Sequence, residues 1–177
     1  AFNLRQFIYT KYQYGDQMIN LNTISQTKQS YVDADHELFI MGIFQDKKLN
    51  PIQRSLDTLL ENRLSKVIEV DRFTGDKDSQ LLIYGNDSIK RVVLVGLGDQ
   101  KQYTSDKARS VASNLTRYVN SLELSKFSID GDSFGLQKNV YAQAFIEGLV
   151  LGSYEFNDYK SKKNENVKAN SVIMYGN

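Results

Sequence analysis

Cysteine and tryptophan are absent from the 177-residue chain, and histidine and proline occur once each, as His36 and Pro51. Without cysteine there is no disulfide framework and no thiolate metal site, a lack that fits a reducing cytoplasm. With one histidine, no H-x-x-x-H, H-x-H or H-E-x-x-H spacing exists, so His36 is expected to be structural or superficial rather than a metal ligand. No apolar run approaches the roughly 20 residues that span a bilayer, so no membrane partner is expected. The opening AFNLRQFIYTKYQYG lacks the succession of charged, apolar and small residues of a secretory signal. It begins on Ala1 rather than Met, which leaves the natural start open. A surplus of one charge is missing too. Lys plus Arg number 22 against 21 Asp plus Glu, a net +1 that argues against strong nonspecific nucleic-acid binding.

What is present suits one soluble domain over residues 1–177. The chain is 41% hydrophobic and 24% charged, an ordinary globular balance. A chain of this length buries roughly 70% of its unfolded surface, enough for its own core. Residues 1–17 yield no prediction. Met18, Ile19, Leu21 and Ile24 predict a first strand, and the polar stretch 25–30 a loop. HELFIMGIF, residues 36–44, reads as a strand buried on both faces. Asn50-Pro51 is a helix start, Asn as cap and Pro at the first helical position. Ile52, Leu56, Leu59, Leu60 and Leu64 continue it to about Ser65, with a short strand at 67–70. DRFTGDKDS, 71–79, is a loop, 80–84 a strand, and Gly85-Asn86-Asp87 a turn. RVVLVG, 91–96, is the clearest strand signal and suits the centre of a sheet. After a loop, Thr104 or Ser105 caps a long helix with Ala108, Val111, Ala112, Leu115, Tyr118, Val119 and Leu122 at helical spacing. A strand at 127–129, a loop at 130–136, a helix at 140–151 and a last strand at 171–175 complete the pattern. Alternating strands and helices predict an α/β fold, a mixed sheet with helices on both faces.

Few residues offer chemistry. Gly96-Leu97-Gly98 follows the best strand and precedes a helix, where α/β folds bind phosphate. The third glycine of G-x-G-x-x-G is replaced by Lys101, so a tight strand exit is the expected role. Asp71, Asp76, Asp78, Asp87, Asp130 and Asp132 fall in predicted loops without calcium-loop spacing and are expected to be solvated. Lys160, Lys162 and Lys163 form a basic cluster, expected to be a solvated turn. No G-x-S-x-G or Walker loop occurs. The most patterned stretch is EGLVLGSYEFNDYK, residues 147–160. Gly148 and Gly152 lie on one helical face and would let another backbone approach. Tyr154, Phe156 and Tyr159, closed by Lys160, predict a packed aromatic turn.

Three segments together resemble the N-terminal domain of the leucyl aminopeptidase family, the cytosolic metallo-aminopeptidases. They are FIMGIFQDKKL (39–49), RVVLVGLGD (91–99) and EGLVLGSYEFNDYKSKK (147–163). The last is similar to the family signature E-G-x-x-L-G-x-Y-x-F-x-x-Y-K, placed here on Glu147, Gly148, Leu151, Gly152, Tyr154, Phe156, Tyr159 and Lys160. The chain departs from the family at Asp99, where a lysine is usual.

The resemblance implies a three-layer, macro-domain-like α/β fold and a structural role for those eight residues. It also implies a parent enzyme that removes N-terminal amino acids from peptides. Two divalent metals, zinc or manganese, would sit in a C-terminal catalytic domain whose N-T-D-A-E-G-R run has no counterpart here. The 177 residues are therefore expected to be a non-catalytic N-terminal domain, with no catalytic, metal or cofactor residue of their own. Its partners would be the catalytic domain and neighbouring subunits of a cytoplasmic homohexamer. The alternative is a stand-alone macro-like module that binds a nucleotide or an ADP-ribose-type ligand through the loop 97–103.

Overall fold

The computed structural model describes residues 7–8, 17–19, 21–45, 48–156 and 167–176. In chain order its elements are β1 (Phe7–Ile8), β2 (Gln17–Ile19), β3 (Thr23–Thr27), β4 (Phe39–Ile43), α1 (Pro51–Leu59), α2 (Arg63–Val70), β5 (Gln80–Tyr84), β6 (Arg91–Gly96), α3 (Ser105–Ser121), β7 (Lys126–Asp130), α4 (Asn139–Gly152), β8 (Tyr154–Phe156) and β9 (Ser171–Tyr175). Seven strands form one sheet in the order β1-β3-β9-β7-β4-β6-β5, and β2 pairs with β8 separately. The neighbours from β3 to β6 run parallel, while β1 and β5 close the two edges antiparallel.

Side-chain alternation builds two cores. On β4 and β6, Phe39, Met41, Val92 and Leu94 face one side, where Leu56, Leu60 and Leu64 of the α1–α2 segment cover them. Ile40, Val93 and Val95 face the other, against Leu115 of α3 and Phe145 of α4. Period-two strands apolar on both faces need a helical layer on each, so the sheet lies between α1–α2 and α3–α4. The expected three-layer mixed fold is thus observed.

Several local expectations are corrected. The segment 25–30 does not begin as a loop: β3 runs to Thr27 because β9 pairs with it along its whole length. The predicted first strand is two, β2 and β3, in different sheets. β6 is the second strand from an edge, not central. The helix from Pro51 breaks after Leu59, and residues 67–70 belong to α2 rather than a strand. Glu61 and Asn62 adopt φ of 56° and 60°, ending the first helix. The second starts because Asp57, 4% exposed, reaches forward to cap it. Its Oδ1 accepts from Leu64 N at 2.8 Å and Ser65 N at 3.2 Å, and Ser65 Oγ donates to Oδ2.

The Asn50 start holds as a capping box. Gln53 N donates to Asn50 Oδ1 at 2.8 Å, and Asn50 N to Gln53 Oε1 at 3.0 Å. Gln53 Nε2 also donates to Gly42 O at 3.1 Å, tying α1 to β4. The predicted aromatic turn after α4 is instead strand β8, antiparallel to β2. Tyr159 and the lysines at 160, 162 and 163 lie outside the described residues.

Candidate functional site

In an open α/β sheet, ligands sit outside the carboxyl ends of the strands, where neighbouring connections leave in opposite directions. Here that point lies between β4 and β7. From β4 the chain passes through α1–α2 toward β6; from β7 it passes through α4 to β9, on the other side of the sheet. The two strands pair only at Phe39–Ser128 and Ile40–Ile129, so they part before β4 ends. The turn Gly131–Phe134 fills the gap. Ser133 Oγ accepts from Gly42 N at 2.8 Å and donates to Asp130 O at 2.7 Å. Phe134, fully buried, meets the Phe145 ring at 5.1 Å.

Because the turn plugs the centre, two crevices remain beside it. One, of about 260 Å³, is lined by Phe44, Tyr103, Asp132, Lys138 and Tyr141 on the α3–α4 side. Tyr103 stands edge-on to Phe44 and Tyr141 at 5.2 and 5.3 Å, and Tyr141 OH donates to Tyr103 O at 3.0 Å. The other, of about 270 Å³, is lined by Lys28, Tyr31, Ile52, Asp130, Asp132 and Tyr175.

Asp130 is the most perturbed carboxyl of this region. It is 3% exposed, not solvated as its loop-like sequence suggests. Its Oδ1 accepts a long 3.4 Å bond from Ser133 N, and its Oδ2 has no hydrogen-bond partner. Burial pushes its pKa up to about 6, with Asp132 adding repulsion and bonds from Ser133 opposing the shift. The buried Tyr31 hydroxyl is also unpartnered, and burial followed by Asp130 raises its pKa. Composition carried no signal for this pairing: Asp130 ends an apolar run before a glycine, and Tyr31 is about a hundred positions away.

His36 is structural, as expected. Its Nε2 lies 2.7 Å from Tyr31 O and its Nδ1 3.0 Å from Ser128 Oγ. A carbonyl only accepts, so Nε2 carries the proton and Nδ1 accepts from the serine. Burial lowers its pKa, keeping the ring neutral. Gly96-Leu97-Gly98 cradles no phosphate. Its three N–H groups donate to Ser79 O, Ile43 O and Gly75 O at 2.8 to 3.0 Å. A Cβ on Gly96 would strike Asp76 O, so the loop after α2 occupies the space.

Three of the eight signature residues, Glu147, Gly148 and Gly152, lie at the α3–α4 contact. A Cβ on Gly148 would collide with the Arg109 carbonyl and stand 2.8 Å from Ala112 Cβ. One on Gly152 would collide with the Ser113 carbonyl and stand 2.9 Å from Thr116 Cβ. Glu147 Oε2 accepts from Arg109 Nη2 at 2.8 Å and Nε at 3.0 Å. Bonds from Arg109 and then Gln143 hold its carboxyl below the usual range. Leu151 and Tyr154 are 51% and 37% exposed. Phe156 lies in β8; Lys160 is outside the described residues.

Fold and site define an α/β domain of macro-like architecture. A tomato leucine aminopeptidase mutant superposes with TM-score 0.72 at 23% identity, covering 86% of this chain and 32% of that one. An Oceanobacillus iheyensis macrodomain mutant superposes with TM-score 0.60 at 11% identity, over 94% and 89% of the two chains. Residues 40–163 match the family model "Cytosol aminopeptidase family, N-terminal domain". A probable cytosol aminopeptidase of Sulfurihydrogenibium sp. is 34% identical over 151 residues, 83% of this chain and 29% of the relative. One from Persephonella marina is 30% identical over 126 residues, 68% of this chain and 25% of the relative. The chain belongs to the cytosol aminopeptidase family and carries its N-terminal domain. It spans between a quarter and a third of the length of these relatives.

Proposed function

We propose that the chain is the N-terminal assembly and regulatory domain of a metal-dependent leucyl-type aminopeptidase, whose remaining portion removes N-terminal amino acids from peptides. The observation that carries the reading is the match of residues 40–163 to the N-terminal domain of that family. The two divalent cations, zinc or manganese, belong to the catalytic portion. Among the described residues no group of three or more His, Cys, Asp or Glu side chains is placed to hold a metal ion. The donor set therefore does not fit the metal pair, and no metal-dependent step is assigned to these residues. The partners in this reading are the catalytic portion and neighbouring subunits of a cytoplasmic homohexamer. Relatives named as cytosol aminopeptidases support that placement. Among the described residues no helix is long and apolar enough to cross a membrane.

The test is hydrolysis of a leucine chromogenic amide with added manganese or zinc. The 177-residue chain and the same chain joined to a family catalytic domain are assayed side by side, with sedimentation reporting assembly. Activity and hexamers are expected only for the joined protein. Metal-dependent turnover by the 177 residues alone would refute the reading. The macrodomain likeness favours the ADP-ribose alternative as a second reading, but the occupied N–H groups of Gly96-Leu97-Gly98 speak against a phosphate cradle there. Calorimetric titration with ADP-ribose separates the two.

A further inference from the structure

We propose that the crevice at the carboxyl ends of β3, β9 and β7 is a binding site for a small organic cation, a primary ammonium group, seated on the Asp130 carboxylate beside the Tyr31 and Tyr175 rings. The inference stands apart from the aminopeptidase reading and holds whichever parent carries the domain.

Three observations on separate elements converge. First, two oxygens at the wall of the crevice, each with almost no exposed surface, lack a hydrogen-bond partner. Asp130 and Tyr31 are 3% and 5% exposed, and Asp130 Oδ2 and the Tyr31 hydroxyl oxygen have no partner. A buried carboxylate oxygen without a donor is costly, and such groups in native proteins are satisfied by a water or a ligand. Second, the charge in the crevice is negative. Asp130 and Asp132 line it, and the basic side chain among its described lining residues is Lys28, which is exposed. An anionic ligand would meet two carboxylates, and the described residues hold no three-donor cluster for a metal ion. Third, the walls are aromatic. The Tyr31 and Tyr175 rings meet edge to face at 6.0 Å and 86°, and Ile52 adds an apolar side.

An ammonium group matches this set. It brings three donors, which suffice for Asp130 Oδ2 and the Tyr31 hydroxyl. The Tyr31 hydroxyl stays protonated, because burial raises its pKa, so it accepts from the ammonium without adding negative charge. A crevice of about 270 Å³ lies just under the usual range of roughly 300–1,000 Å³ for drug-sized ligands. It therefore takes an ammonium on a short aliphatic stem rather than a nucleotide.

The probe is n-butylamine hydrochloride, titrated into the 177-residue chain above neutral pH at fixed ionic strength and followed by amide NMR. Sodium butyrate and n-butanol are the charge controls. Saturable shifts are expected at Lys28–Tyr31, Asp130–Ser133 and Gly176, for the amine only. Asp130→Asn removes the charge-assisted bond and is expected to weaken binding by roughly tenfold or more. Tyr31→Phe keeps the ring and removes one acceptor, with a loss of about threefold. It serves as the second variant should Asp130→Asn fail to fold. Three outcomes would each overturn the proposal: no saturable shift at the crevice, equal binding of butanol or butyrate, or unchanged affinity in a folded variant. In the first case an ordered water satisfies Asp130. ADP-ribose binding at these residues without amine binding would assign the crevice to nucleotides instead.

Discussion

Replacing Gly148 with alanine tests whether the glycine pair sets the α3–α4 distance. In an unconstrained helix the change would stabilise the protein, because alanine exceeds glycine in helix propensity by about 1 kcal/mol. Here the added Cβ would collide with the Arg109 carbonyl and lie 2.8 Å from Ala112 Cβ. Backbone of α3 cannot swing aside as a side chain can. Relief therefore requires the helices to part, by about 1 Å to reach an ordinary carbon contact of ~3.5 Å. A gap of that size forfeits roughly a quarter to a half of each dispersion contact along the interface. Overpacking of this kind costs about 1–3 kcal/mol and occasionally more. A clash with backbone falls in the upper part of that range, about 2–3 kcal/mol, and set against the propensity gain of about 1 kcal/mol it leaves a net loss of about 1–2 kcal/mol. For a chain of this length that lowers the melting temperature by roughly 2–8 °C. Gly152→Ala should behave alike, since the Ser113 carbonyl blocks its Cβ. The double variant should lose less than the sum, because one separation relieves both clashes. Leu151→Ala, half exposed on the same helix, is the control and should stay within about 0.5 kcal/mol of wild type. Calorimetric melts measure all four. A Gly148→Ala protein as stable as wild type, or more so, would refute the reasoning and leave helix propensity dominant.

Three further perturbations have worked signs. Asp130 has a folded pKa of about 6, above its unfolded value of about 3.9, so the folded state holds the proton more tightly. Its stabilising contribution is full below the unfolded pKa, is lost as pH rises toward 6, and by linkage amounts to about 3 kcal/mol. Asp130→Asn should flatten the stability profile between pH ~4 and ~6, and an unchanged slope in urea melts would reject that account. Asp57→Ala removes the acceptor for Leu64 N and Ser65 N and should cost about 2–4 kcal/mol, a lost cap plus unsatisfied donors. A loss under about 0.5 kcal/mol in denaturant titration would show that α2 needs no such cap. Arg109 and Glu147 form a half-exposed pair, with side chains 35% and 42% accessible. A double-mutant cycle should return only a small coupling that shrinks as salt is added, and a coupling that salt leaves unchanged would reject the screened-pair account.

How much was legible follows from where each signal is stored. β4 and β6 could be read because both faces of each strand are apolar, as Phe39-Ile40-Met41 and Val92-Val93-Leu94 show. The α1 start could be read because Asn50, Pro51 and Gln53 act within one turn. The break before α2 could not. Its determinant is Asp57, a carboxylate that looks like a surface helix residue but caps an N-terminus seven and eight positions ahead. The β-branched residues in RLSKVIEV suggested a strand, yet buried Leu64 and half-buried Val67 and Ile68 share one helical side facing the core. β3 was partly lost because Thr23, Ser25 and Gln26 are polar; only pairing with β9, nearly 150 residues later, makes the segment a strand.

Asp130 shows the same limit at the site. The residues that bury it come from β9 and from the segment holding Tyr31, so no window of local sequence could mark it. Its position is nonetheless fixed by a short chain of bonds. Gln53 Nε2 donates to Gly42 O, Gly42 N donates to Ser133 Oγ, and Ser133 Oγ donates to Asp130 O. The cap of α1, the interior strand β4 and the turn after β7 are thereby locked together. The chain of bonds ends on the Asp130 backbone carbonyl and so fixes the main chain there, while the carboxylate itself is confined by burial, at 3% exposure. Such preorganisation is what a binding site requires: the energy of burying the acceptor is spent in folding and recovered when a donor arrives. The glycine-clamped helix pair and the Asp130 crevice are therefore separable devices on one sheet. The first controls how closely two helices approach, and the second presents an acceptor at the sheet's carboxyl edge.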